Sequence, residues 1–163
     1  KDESTGFFYY TSDASQLIVR KMEISDQVIP SSNSVMAEVL FKLGQYYSED
    51  SYLEMSNRMI QPILNEVVKN GPYYANWARL LGAHHLQPYE LAIMGDASQQ
   101  KSRAIMKNYL PDVLLMGGTS ENLPLLENKY VSDKTIIYVC RDKVCKLPVT
   151  EVEAALAQLR AGR

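Results

Sequence analysis

Cys140 and Cys145 stand on either side of a short charged stretch, Arg141-Asp142-Lys143-Val144. Sulfur at this spacing suits thiol–disulfide chemistry if the stretch turns the chain back on itself. Facing residues of an antiparallel pair lie about 4.5–5.5 Å apart at Cα, which is within reach of a disulfide. The two are therefore a candidate redox pair, with a four-residue loop expected between them. The plainer alternative is two reduced thiols, the usual state in a reducing cytoplasm. Two sulfurs make only half of a structural zinc site, so no metal is assigned.

A second group is polar. Asp26, Ser31, Ser32, Asn33 and Ser34 surround Pro30, directly before a run with helical periodicity. A helix N-terminus carries free N–H groups and partial positive charge, which suit an anion or a sugar hydroxyl. The same residue types are also ordinary helix caps. Trp77 offers an aromatic face on which a sugar could stack, and it shares a helix face with His84, seven residues on. Its alternative is core packing. His84 and His85 are adjacent and point in different directions, a poor metal pair. Asp26, Ser31, Ser32, Asn33 and Trp77 are thus the candidate ligand contacts. The glycine turns Ile93-Met94-Gly95-Asp96 and Met116-Gly117-Gly118-Thr119-Ser120 match no phosphate-binding pattern and read as strand ends. Carboxylate pairs such as Glu121 with Glu127, or Glu38 with Asp26, have no separation that the sequence determines, so no residue is assigned catalysis.

These groups need elements to hold them. Residues 6–11 are β-rich, and residues 16–20 suit a short strand beyond a turn. A helix follows residues 30–34, with Val35, Met36, Val39, Leu40, Leu43, Tyr46 and Tyr47 as one apolar stripe. A second opens at Ser51, where Glu54 completes a capping box, and Pro62 should bend it. A third spans residues 73–86. Beyond Gln87-Pro88 the pattern changes to strand (90–95), helix (98–110) and strand (112–116), an order that predicts a parallel crossover. A hairpin over 135–147 and a last helix, opened by a capping box at Thr150 and Glu153, complete the chain. The reading is α+β: a helical part over 1–87 and a small α/β module over 88–163.

The net charge of −2 gives no basic field for nucleic acid. No apolar run approaches the roughly 20 residues that span a bilayer. The first residues, Lys1-Asp2-Glu3-Ser4, have no signal-peptide core, and with two cysteines the expected location is the cytoplasm. No cofactor is implied.

Three stretches carry a resemblance: Gly6-Phe7-Phe8-Tyr9-Tyr10-Thr11 followed by Arg20-Lys21 and Asp26; Ile29-Pro30-Ser31-Ser32-Asn33-Ser34-Val35; and residues 138–150, from Tyr138-Val139-Cys140 to Pro148-Val149-Thr150. In this order the chain resembles the C-terminal portion of the thioredoxin domain-containing family that includes spermatogenesis-associated protein 20. The family pattern usually has Gly where this chain has Ser32. The resemblance implies a longer protein, with a thioredoxin-like domain followed by an (α/α) toroid similar to sugar epimerases and six-hairpin glycosidases. The helices of residues 1–87 would then be the last of the toroid. The implied partners are the upstream domains of the same protein and a small-molecule sugar. The implied function is carbohydrate-related, with no independent catalysis by this portion; the alternative is a non-enzymatic interaction module.

Overall fold

The structure, a computed structural model, describes residues 1–11 and 18–161. It comprises two compact units, Lys1–His85 and Leu86–Arg163. The first contains α1 (Ser32–Tyr47), α2 (Asp50–Ile60), α3 (Leu64–Lys69) and α4 (Ala75–Leu86), the last ending at the boundary. The second contains β1 (Tyr89–Met94), α5 (Ser98–Ile105), β2 (Val113–Gly118), β3 (Ile136–Arg141), β4 (Val144–Cys145) and α6 (Val152–Arg160). The chain is α+β, as its sequence pattern predicts.

In the helical unit, Ser48 adopts the left-handed conformation (φ 52°) and its amide bonds to Gly44, which ends α1 and reverses the chain into α2. Leu53 packs on Gly44, and the Ser56 hydroxyl donates to the Ala37 carbonyl at 2.8 Å, so the two helices run in opposite directions. A Cβ at Gly44 would lie 2.6 Å from the Leu53 side chain, so glycine is what lets the helices close. Pro62 bends the second helix as predicted: a 3-10 turn at Gln61–Ile63 separates α2 from α3. The core contains Phe7, Ala37, Leu40, Phe41, Met59, Ile60, Trp77 and Leu80.

The apolar stripe of α1 corrects the sequence reading. Leu40 is buried, but Val35 and Val39 are each 43% exposed and Tyr47 is 56% exposed. The helix buries Asn33, Ser34, Ala37, Phe41 and Gly44 instead. Two requirements select that face. Asn33 and Ser34 must point inward to reach their hydrogen-bond partners, and the small Ala37 and Gly44 must lie under α2. A hydrophobicity pattern weighs neither requirement.

Other expectations shift as well. Among the described residues, 6–11 form no strand, because the side-chain amide of Asn33 bonds to the backbone of Phe8 where a strand partner would stand. Of the expected strand at 16–20, Gln16 and Leu17 lie outside the described residues, and residues 18–20 are not in a strand. Both expected capping boxes are displaced. Glu49 caps α2 through the Ser51 amide, which puts Ser51 inside the helix. Glu151 is the N-cap residue of α6, without a side-chain cap bond. The helix of residues 98–110 stops at Ile105, whose carbonyl is taken by the Asn108 side chain.

In the second unit the strand order is β2-β1-β3-β4. β1 and β2 are parallel, as the strand–helix–strand order predicts, and β3 lies antiparallel on the other edge of β1. All six residues of β1 are buried. Tyr89, Leu91 and Ile93 pack with Ile105 of α5 and Leu156 and Leu159 of α6. Strand alternation turns Glu90, Ala92 and Met94 to the opposite face. Tyr138, in register with Ala92, shares that face, and its hydroxyl donates to the Lys129 carbonyl of the loop between β2 and β3.

Gly95 ends β1 with φ +129°. A Cβ there would lie 2.3 Å from the Lys134 carbonyl oxygen and 2.7 Å from the Thr135 Cα, both backbone atoms. Gly95→Ala should therefore lower stability by about 3 kcal/mol, combining a disfavoured φ with a backbone clash. The check is a lower urea midpoint at unchanged m-value; a midpoint equal to that of the wild type would refute it.

Candidate functional site

The polar residues of the loop before α1 lie together, and their groups are engaged within the chain. Asp26 is buried. Its Oδ1 accepts from the Ser31 amide and the Ser34 hydroxyl, each at 2.9 Å, and its Oδ2 accepts from the Asn76 amide at 2.9 Å. Ser31 is the N-cap residue of α1: its hydroxyl accepts from the Ser34 amide at 3.2 Å and donates to the Ile24 carbonyl at 2.7 Å. Asn33 accepts from the Phe8 amide at 2.7 Å and donates to the carbonyls of Phe8 and Glu23 at 3.0 and 2.9 Å. Trp77 is fully buried, and its indole N–H donates to the Ile24 carbonyl at 2.7 Å. Ser32 alone of the five is exposed, with its amide on the Glu23 carboxylate at 3.1 Å.

The first three amides of α1 therefore have acceptors: Glu23 Oε2 for Ser32, the Glu23 carbonyl for Asn33 and the Ser31 hydroxyl for Ser34. An anion or sugar hydroxyl at this helix end would have to displace these bonds. The Glu23 carboxyl is held below its ordinary range by its hydrogen bond from Tyr10 and then by the Ser32 amide.

His84 lies on the Trp77 side of α4 and also faces inward. Its ring centroid is 4.6 Å from that of Phe41, and its Nε2 is 3.0 Å from the Ser56 hydroxyl. The Ser56 hydroxyl thus bridges the His84 ring and the Ala37 carbonyl. Burial, and then the neighbouring His85, push the His84 pKa down. The carboxylates considered as acid–base couples have other partners: Glu38 pairs with Lys42 and Arg79, and Glu121 accepts from the amides of Lys129 and Tyr130.

The cysteines form the second group. β3 and β4 pair with Cys140 opposite Cys145 and Arg141 opposite Val144. The connecting loop is thus two residues, Asp142 and Lys143, rather than the four expected. Both have positive φ, 50° and 63°, as a type I′ turn requires. The expected facing of the cysteines holds, one pair further from the turn. They are bonded, with a Cα separation of 3.8 Å; the sequence left the redox pair and two reduced thiols open. A two-residue turn makes 141/144 a hydrogen-bonded pair and 140/145 a non-hydrogen-bonded one, in which the Cα atoms approach most closely. The Lys146 amide on the Val139 carbonyl at 2.9 Å fits that alternation.

Beside this disulfide lies a residue that sequence reasoning passed over. Glu90 is in register with Cys140 and 4% exposed. Its carboxylate accepts from the Lys143 amide at 3.2 Å. Burial pushes its pKa up, only partly offset by that amide and the Lys143 charge. The signal was available: a lone acid in the apolar run Tyr-Glu-Leu-Ala-Ile-Met. A cleft of about 210 Å³ beside β2 is lined by Ile105, Met106, Asn108, Leu110, Val113 and Leu115, none of which can exchange a proton near neutral pH.

No protein-family model matches the chain, and no solved structure matches it. Human spermatogenesis-associated protein 20 is 23% identical over 164 aligned residues, covering 91% of this chain and 21% of that protein. The chain thus spans about a fifth of the length of the curated relative it matches.

Asp26→Ala would leave the Ser31 and Asn76 amides without their acceptor, while the Ser34 hydroxyl keeps the Ser31 carbonyl. A loss of about 3 kcal/mol or more is expected from unsatisfied buried donors. Chemical denaturation followed by Trp77 fluorescence measures it. A loss below about 1 kcal/mol, the worth of one ordinary hydrogen bond, would mean that water takes over the role of Asp26.

Proposed function

We propose that this chain acts as the terminal part of a larger multidomain protein: an interaction module, docked on upstream helices of the same protein through the outer face of α1. The carrying observation is the second apolar face of that helix. Val35, Met36, Val39 and Tyr47 are exposed along one side, while the core is served by the other. The Glu38–Lys42 ion pair marks the solvated strip beside them. A helix with two apolar faces is characteristic of one packed on both sides, and an exposed stripe of this kind marks an interaction surface.

The likeness to about a fifth of a much longer protein is consistent with further segments beside this one, and we take helices preceding it as the occupant. In the resemblance these belong to an (α/α) toroid downstream of a thioredoxin-like domain, and any carbohydrate-related chemistry belongs to the completed ring. Asp26, Ser31, Asn33 and Trp77 then shape the wall of that ring from within, since their polar atoms are bound to the chain itself.

Val39→Cys provides the test. A maleimide should label this cysteine freely in residues 1–163. With the upstream segments attached, the rate should drop about tenfold or more, as expected when a site opens only rarely. Equal rates in the two forms would overturn the seam. Protection in residues 1–163 alone that deepens with concentration would assign the face to a second copy of the chain instead.

A further inference from the structure

We propose that the β3–β4 hairpin is a thiol–disulfide exchange site, in which Cys145 meets the incoming dithiol or disulfide, Cys140 is the resolving sulfur, and Glu90 carries the proton to and from Cys140. The reading is independent of the α1 seam and rests on three placements. The two sulfurs are bonded across a non-hydrogen-bonded pair. They differ in access: Cys140 is 1% exposed, while Cys145 is partly exposed on β4, at the edge of the sheet. Glu90 stands opposite Cys140 on the neighbouring strand, on the same face, where facing side chains have Cβ atoms about 4.5–5.5 Å apart.

A purely structural clip would not need the acid. A carboxylate is costly to bury even with one amide on it, and its neighbours in β1 are apolar. The Lys143 amide at 3.2 Å would bond equally well to a glutamine oxygen. What glutamine cannot supply is a proton that comes and goes. Desolvation, which raises the Glu90 pKa, lets the acid hold its proton to a higher pH than an exposed glutamate does. The ionisable groups around it are Lys143 and Asp142 in the turn and Lys129 in the loop over this face, with Tyr138 sharing the face.

The exchange balances as follows. A thiolate of an external dithiol attacks Cys145 Sγ, forming a mixed disulfide and breaking the Cys140–Cys145 bond. Cys140 Sγ leaves with the bonding electron pair and takes the proton of the Glu90 carboxyl. The second thiolate of the reagent then attacks its own bonded sulfur, releasing Cys145 as a thiolate that protonates from water. The hairpin is reduced by two electrons and the dithiol is oxidised to its disulfide. In the reverse direction, the Glu90 carboxylate takes the Cys140 proton as Cys140 attacks a mixed disulfide on Cys145.

The experiment is reduction of residues 1–163 by dithiothreitol, followed by alkylation and mass measurement, with each rate divided by the dithiothreitol thiolate concentration. In the wild type this normalised rate should fall as pH rises through the raised Glu90 pKa, because the proton donor is lost. In Glu90→Gln it should be lower by about a hundredfold on the acidic side, the low end of general acid catalysis, and flat with pH. Glu90→Asp keeps a donor and should restore the pH dependence. Identical profiles for wild type and Glu90→Gln would overturn the proposal, as would a disulfide that native protein does not surrender to the reagent. If Glu90→Gln does not fold, the wild-type profile decides: a normalised rate that does not fall with pH overturns the role of Glu90.

Discussion

The carboxylate of Asp26 lies at the starts of two helices at once. One oxygen takes the Ser31 amide at the cap of α1, and the other takes the Asn76 amide in the first turn of α4. Each helix presents the positive end of its dipole to the same buried charge. The adjoining backbone is held by the same cluster: the Asp26 amide bonds to the Tyr73 carbonyl, and the Ile24 carbonyl accepts from both Ser31 and Trp77. Trp77 thereby has its ring in the core, 6.0 Å from that of Phe7, and its polar edge on the loop. Register between α1, α4 and the entry segment follows from this one cluster. The side of α1 left outside follows too, because Asn33 and Ser34 must turn inward to take part.

The two buried carboxylates among the described residues, Asp26 and Glu90, are used differently. Asp26 is surrounded by donors on both oxygens, which suits a fixed structural anchor. Glu90 sits in a fully buried strand, with the Lys143 amide on one oxygen and a disulfide on the neighbouring strand. Burial raises its pKa, which brings the neutral form closer in energy to the carboxylate. The first arrangement holds elements together, whereas the second has a reason to change state. That contrast gives Glu90 more functional weight than the loop polar residues, although the loop looks richer in chemistry on paper.

The outer face of α1 and the disulfide hairpin belong to different units and answer to different constraints. The α1 face is an unmet demand for apolar contact, of the kind a missing neighbouring helix would satisfy. The hairpin is a tight turn in which two non-glycine residues, Asp142 and Lys143, accept positive φ so that the strands can close. A longer loop would relax that turn but lose the register that puts Cys140 opposite Cys145.

What the amino-acid sequence determined by itself was whatever depends on near neighbours. Helix positions, the break at Pro62, the parallel pair of β1 and β2 and the facing of Cys140 and Cys145 all follow from spacing, turn residues and strand alternation. The capping residues lay in a legible window, yet their positions moved by one or two residues, because side chains compete for the same amides. Only the tertiary structure decided which face of α1 is buried, since the deciding bonds, Asn33 to Phe8 and Asp26 to Asn76, join residues 25 and 50 apart. Only it placed Glu90 opposite Cys140, 50 residues further along the chain. Strand register sets that contact, and register is a property of the assembled sheet, which no single stretch of residues contains.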